Sequence, residues 1–114
     1  MGEQENVRTL SLDHGDEVEE LYSSVNEELE LLDKGEGVLV LTDVFEGSPY
    51  TVVANNIRKA CFESLTGVNL PMLIEALNSR VNSNIKDLAC RAYKSGVRGI
   101  KDIRYELNIA NGSI

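Results

Sequence analysis

Val38-Leu39-Val40-Leu41-Thr42-Asp43 is the stretch that decides the fold. Four apolar residues run without interruption and stop abruptly at two polar ones. A short run of this kind fits a strand buried on both faces, as in the middle of a parallel sheet. Upstream, a helix is predicted from about Glu17 to Lys34. Its apolar residues Val18, Leu21, Tyr22, Val25, Leu29 and Leu32 fall on one face. Asp16 can cap its start with Glu19 completing a capping box, and Gly35 suits a left-handed stop. Before that helix, Val7 to Leu12 reads as a strand, and Asp13-His14-Gly15-Asp16 reads as a turn.

Downstream, Glu46-Gly47-Ser48-Pro49 announces a helix to about Lys59, with Ser48 as N-cap and Pro49 at the first helical position. Ala60 to Thr66 is a short strand. Gly67-Val68-Asn69 turns into a helix from Leu70 to about Arg80. Ser83-Asn84 starts another helix to about Val97, with Ile85, Leu88, Ala89, Ala92 and Tyr93 inward and Gly96 and Gly99 at its end. Ile103, Tyr105, Leu107 and Ile109 alternate with polar residues, the period of a half-buried edge strand. Alternating strands and helices predict an α/β class: an open, mainly parallel sheet flanked by helices, with a C-terminal edge strand. Residues 1–114 make one domain, since that length supports a single core.

Composition narrows the function. Apolar residues make up 42% of the chain and charged residues 26%, ordinary values for a globular protein. No apolar run is long enough to span a membrane, and MGEQENVRTL lacks the apolar centre of a secretory signal, so cytoplasmic residence is expected. A net charge of −8 argues against nucleic acid as a partner. The acidic stretch from Asp13 to Glu36 reads as solvated helix surface. Cys61 and Cys90, far apart in sequence, read as two small buried hydrophobes. With one histidine and no paired-cysteine motif, no metal site or cofactor is expected.

Ligands of open α/β sheets bind beyond the carboxyl ends of the strands. Asp43 stands at such an end, just before the Gly47-Ser48-Pro49 helix start. Free N–H groups of a helix start favour an anion, so the pair suits phosphoryl transfer. Gly67-Val68-Asn69-Leu70-Pro71 is a second strand-to-helix turn that would share this edge. The plainer reading is capping chemistry alone.

Three separated segments carry a resemblance: Gly2-Glu3-Gln4-Glu5-Asn6-Val7; Val38 to Asp43 with Glu46-Gly47-Ser48-Pro49; and Gly67-Val68-Asn69-Leu70-Pro71-Met72-Leu73. In order and spacing they resemble mannose-family enzyme IIA domains of the bacterial phosphoenolpyruvate-dependent sugar phosphotransferase system. The resemblance runs from Gly2 to about Lys101. It implies a cytoplasmic phosphoryl carrier that takes phosphate from phospho-HPr on a histidine and passes it to a IIB subunit. The membrane is involved only through the transporter complex. It also implies a homodimer, in some members formed by exchange of a C-terminal strand. By the same pattern Asp43 would bond the active histidine, Gly47 and Ser48 would hold the phosphoryl group, and Gly67 to Leu70, with Asn69, would form the opposite wall. An alternative is a regulatory IIA-like module of a sugar-operon activator. The IIA-like subunit of the dihydroxyacetone kinase system shares the fold, but the Gly-Ser-Pro and Asn-Leu-Pro-Met-Leu motifs favour the mannose group.

Two departures accompany the resemblance. The family's first strand, which ends in its active histidine, and the following helix have no counterpart in these residues. That strand would lie between the segments 7–12 and 38–43, so a gap of about 9–10 Å is expected there. Glu46 also stands where the family pattern has glycine, and its charge would repel a phosphoryl group. His14, in its acidic turn, matches no active-site motif and reads as a solvated turn residue. Incubated with phosphoenolpyruvate, enzyme I and HPr, these 114 residues should therefore stay unphosphorylated. Mass spectrometry finding stable phosphate on His14 would contradict that.

Overall fold

Strand β1 (Val38–Leu41) pairs in parallel with β2 (Phe62–Leu65), Val38 opposite Phe62 and Leu41 opposite Leu65. The structure is a computed structural model and describes residues 4–10, 18–43 and 62–108. Helix α1 (Val18–Leu32) precedes β1. Helices α2 (Leu70–Ser79), α3 (Ile85–Arg98) and the single turn α4 (Ile103–Glu106) follow β2. The helix expected after Ser48 and the cap Asp16 lie outside the described residues, as do the side chains of Val18, Glu19, Leu21 and Tyr22.

Successive strand residues point to opposite faces, and each face has its own cover. Val38 and Val40 pack with Phe62 against Leu29 and Val25 of α1. Leu39, Leu41 and Leu65 pack against Met72 and Ala76 of α2 and Ala92 of α3. The continuous apolar run is thus explained, because neither face of β1 meets water alone. Burial is incomplete all the same: all four β1 residues are half-buried. Among the described residues, β1 has a neighbouring strand on one side only.

α1 stops where Asp33 Oδ1 accepts hydrogen bonds from the Gly35 and Gly37 N–H groups at 2.9 and 3.2 Å. Gly35 has φ +96°, the left-handed geometry foreseen for it. α2 begins at Asn69 and α3 at Asn84, each capping with its side-chain oxygen.

α2 and α3 lie against each other along small residues. Leu88, Ala92 and Gly96, one turn apart, form the buried line of α3, and Ala92 is completely covered. Gly96 does not end the helix, contrary to expectation. It sits inside α3, where a Cβ would come within 2.8 Å of the flexible Met72 Cε end and 3.3 Å of the Met72 Cβ. Gly99 is the true C-cap, with an ordinary φ of −75°. Tyr93, expected inward, is 57% exposed, since it stands one residue off the buried line. Glu75 adds a polar clasp between the helices, accepting from Ser79 Oγ at 2.6 Å and Ser95 Oγ at 3.3 Å. Cys90 is exposed rather than buried, on the outer side of α3, and Cys61 lies outside the described residues.

Two expected strands are corrected. Residues 103–106 form a helical turn, not an edge strand, and Ile103, Tyr105 and Leu107 are all exposed, while Ile109 lies outside the described residues. Period-two patterning makes a strand only where a neighbouring strand takes up the backbone groups. None of the described strands pairs here, and Asp102 instead caps a local turn through Arg104 N at 3.1 Å. Residues 7–10 likewise form no ladder with any described segment, and Val7 and Leu10 stay exposed; the rest of that expected strand, Ser11 and Leu12, lies outside the described residues. The preceding segment is held by side chains instead. Arg80 donates to the Glu5 carbonyl at 2.8 Å and to Gln4 Oε1 at 3.3 Å. Lys34 donates to Asn6 Oδ1, and Arg8 faces Glu28 at 3.3 Å. These contacts gather at the end of the sheet where β1 begins.

Gly96→Val should destabilise the protein by about 1–3 kcal/mol, because its branched side chain must displace the Met72 Cβ as well as the flexible Cε end. Lys94→Ala, on the exposed side of the same helix, should stay within about 0.5 kcal/mol. Urea denaturation of both variants checks the contrast.

Candidate functional site

The parallel ladder does not stop with the last strand residues. Thr42 N–H donates to the Leu65 carbonyl at 2.9 Å, and Val68 N–H donates to the Thr42 carbonyl at 3.0 Å. Thr42 is buried, and its hydroxyl also approaches the Leu65 carbonyl, at 3.5 Å. Leu41 stands opposite Leu65, so continuing that register puts Asp43 level with Gly67. Asp43 is exposed there, at the carboxyl edge of the sheet. Its carboxylate is free of the core and can accept a hydrogen bond from an incoming donor.

The second arm is the turn 66–69. Gly67 has φ +70°, and a Cβ on it would meet nothing within 4 Å. Glycine is thus required here by backbone shape, while the space above it stays open. Asn69 ends the turn with both ends of its amide in use. Its Oδ1 accepts from Met72 N–H at 3.0 Å, and its Nδ2 donates to the Gly96 carbonyl at 2.9 Å. Pro71, in the first turn of α2, has no N–H to offer. The start of α2 therefore presents few free donors to an anion, and the turn is better suited to be a wall than a cradle.

The structure brings Asp43, Gly67 and Asn69 to one edge. Gly47 and Ser48, expected to complete the site, lie outside the described residues, as do Glu46 and His14. Among the described residues, no cluster of histidine, cysteine, aspartate or glutamate could hold a metal ion. No helix of the described residues is long and apolar enough to cross a membrane.

Residues 1–92 match the family described as EIIA-man, the PTS system fructose IIA component. The chain belongs to the EIIA-man family. The PTS system mannose-specific EIIAB component of Escherichia coli strain K12 is 35% identical over 106 residues, covering 91% of this chain and 33% of that protein. The PTS system fructose-specific EIIA component of Bacillus subtilis strain 168 is 32% identical over 88 residues, covering 76% of this chain and 60% of that protein. The chain spans only about a third of the length of the mannose-specific relatives it matches. Among solved structures, the phosphotransferase system component EIIA from Streptococcus agalactiae is similar, with a TM-score of 0.71 and 28% identity. The match covers 80% of this chain and 71% of that one. The α/β arrangement with its parallel strands is thus that of an EIIA-man domain.

Sequence reasoning about this EIIA-man chain missed two things at the site. Thr42 was read only as the end of an apolar run, yet its backbone joins the two arms. Asn69 was read as a wall, yet its side chain is spent on holding helices. An asparagine just before Leu-Pro is a capping signal that could have been read. Its bond to Gly96, 27 residues away, had no such signal.

Gly67→Ala should cost about 1 kcal/mol through backbone strain alone, since nothing blocks the added methyl group. Gly67→Asn should cost less, because asparagine tolerates that φ. Thermal unfolding of the two variants gives the order.

Proposed function

We propose that this chain is part of the phosphoryl-carrier IIA unit of a mannose-class sugar phosphotransferase system, with phospho-HPr as donor and a IIB subunit as acceptor. One observation carries the reading. The Val68–Thr42 hydrogen bond sets Asp43 beside the Gly67 turn at the carboxyl edge of a parallel pair, the edge at which open α/β sheets bind ligands. Family membership and the likeness to solved EIIA structures support it.

In this reading Asp43 accepts a hydrogen bond from one imidazole nitrogen of the phosphoryl-accepting histidine. That fixes the tautomer and leaves the other nitrogen to attack phosphorus. The N–P bond to HPr breaks as the new one forms, and the reverse exchange delivers the group to IIB. Gly47 and Ser48 hold the phosphoryl oxygens, and the Gly67 to Asn69 turn closes the far side. His14 is not the acceptor, so these 114 residues furnish the surround of the reacting group rather than the reacting group itself. The unit works in the cytoplasm. A homodimer belongs to the same reading, supported by the exposed Ile103, Tyr105 and Leu107, which a second chain would cover.

Titrating unlabelled HPr into the isotope-labelled chain tests the proposal. Amide shifts should concentrate at Thr42, Asp43 and Gly67 to Leu70. No response, or one confined to the outer side of α3, would overturn it.

A further inference from the structure

The last four carbonyls of a helix lack partners within it. At the end of α3, Ser95 and Val97 carbonyls are taken by the N–H groups of Gly99 and Ile100. The Gly96 carbonyl, between them, is taken by Asn69 Nδ2 at 2.9 Å. The same side chain, through Oδ1, satisfies an otherwise free donor at the start of α2, Met72 N–H. Asn69 is therefore a double cap. It closes the beginning of one helix and the end of another, and both ends meet at the edge that bears Asp43.

We infer that Asn69 is a positioning residue: it makes no contact with the phosphoryl group, but pins the 66–69 turn to α3 so that the main chain of Gly67 and Val68 stands fixed beside Asp43. The role rests on the reading of that edge as the phosphoryl site. A plain N-cap would explain only half of what is seen, since serine, threonine or aspartate accepts from N–H equally well. An amide accepts and donates through two separate atoms, as this position requires, whereas a hydroxyl must do both from one atom on a shorter arm. Asn69 is half-buried, and both ends of its amide are held by bonds within the protein. Gly96 is the matching half of the device. A Cβ there would stand 2.8 Å from the flexible Cε end of Met72 and 3.4 Å from Asn69 Oδ1, so a small residue lets the turn close on α3. Asn69 also quenches one carbonyl at the negative end of the α3 dipole, close to where an anion would arrive.

Asn69→Ser separates the two tasks. It keeps the cap on α2 and is too short to reach Gly96. Amide hydrogen exchange on the full chain gives the reading. The Val68 amide, bonded to the Thr42 carbonyl, should exchange about fivefold or more faster in the variant, while the Thr42 and Met72 amides stay within about twofold of the parent. An unchanged Val68 amide overturns the inference. So does an equal rise at Val68, Thr42 and Met72, which marks a general loss of stability. HPr titration supplies the second arm. In the variant, shifts at Gly67 and Val68 should shrink while those at Asp43 persist, and a response identical to the parent's overturns the positioning role. If the parent itself ignores HPr, the phosphoryl-site reading fails, and the exchange result alone decides whether Asn69 pins the turn.

Discussion

Two backbone hydrogen bonds around Thr42 hold the functional edge together. One takes its N–H to the Leu65 carbonyl, and the other brings Val68 N–H to its own carbonyl. Each is an ordinary amide bond, worth about 1 kcal/mol net. Their importance is geometric. Thr42 is buried, so its N–H and carbonyl must find partners inside the protein, and the parallel register supplies them. The chain then leaves β1 at Asp43 and β2 at Gly67 on the same level. A carboxylate and an open turn are set side by side without any direct bond between them.

That edge is steadied from below by packing. β1 places valines on the α1 side and leucines on the α2–α3 side, so its alternation is hidden in a uniformly apolar run. The α2–α3 contact is built from Ala76, Ala92 and Gly96 with Met72 filling the space between. Small residues let the helices approach, and the approach brings the end of α3 within reach of Asn69. Gly96, Met72 and Asn69 thus belong to one structural unit although they lie on different elements. Glu75 fastens the same pair of helices further along, through Ser79 and Ser95.

The opposite end of the sheet is organised differently. There Arg80, Lys34 and the Arg8–Glu28 pair hold residues 4–8 by side-chain contacts, without a strand ladder. A chain held by such contacts is confined less uniformly than one in a ladder, because exposed ion pairs contribute little. The Gly2 to Val7 segment that carries part of the family resemblance is held, in its described portion, by these side-chain contacts.

Local chemistry was enough to read β1, β2, α2 and α3 from the residues. Apolar runs, Asn and Pro at helix starts and glycine at a positive φ act within a few positions. The same local signals placed Asp43 and Gly67 at strand ends. Whether those ends meet depends on register, and register is set by pairing between segments some twenty residues apart. Tertiary structure also decided the fate of Ile103 to Leu107. Their alternation is real, but an edge strand exists only when a neighbour accepts its hydrogen bonds, and with none paired among the described residues the segment closes on itself as a turn. Gly96 shows the same limit from the other side: its identity suggests a helix end, while its role is set by Met72 and Asn69, which the chain brings to it only on folding.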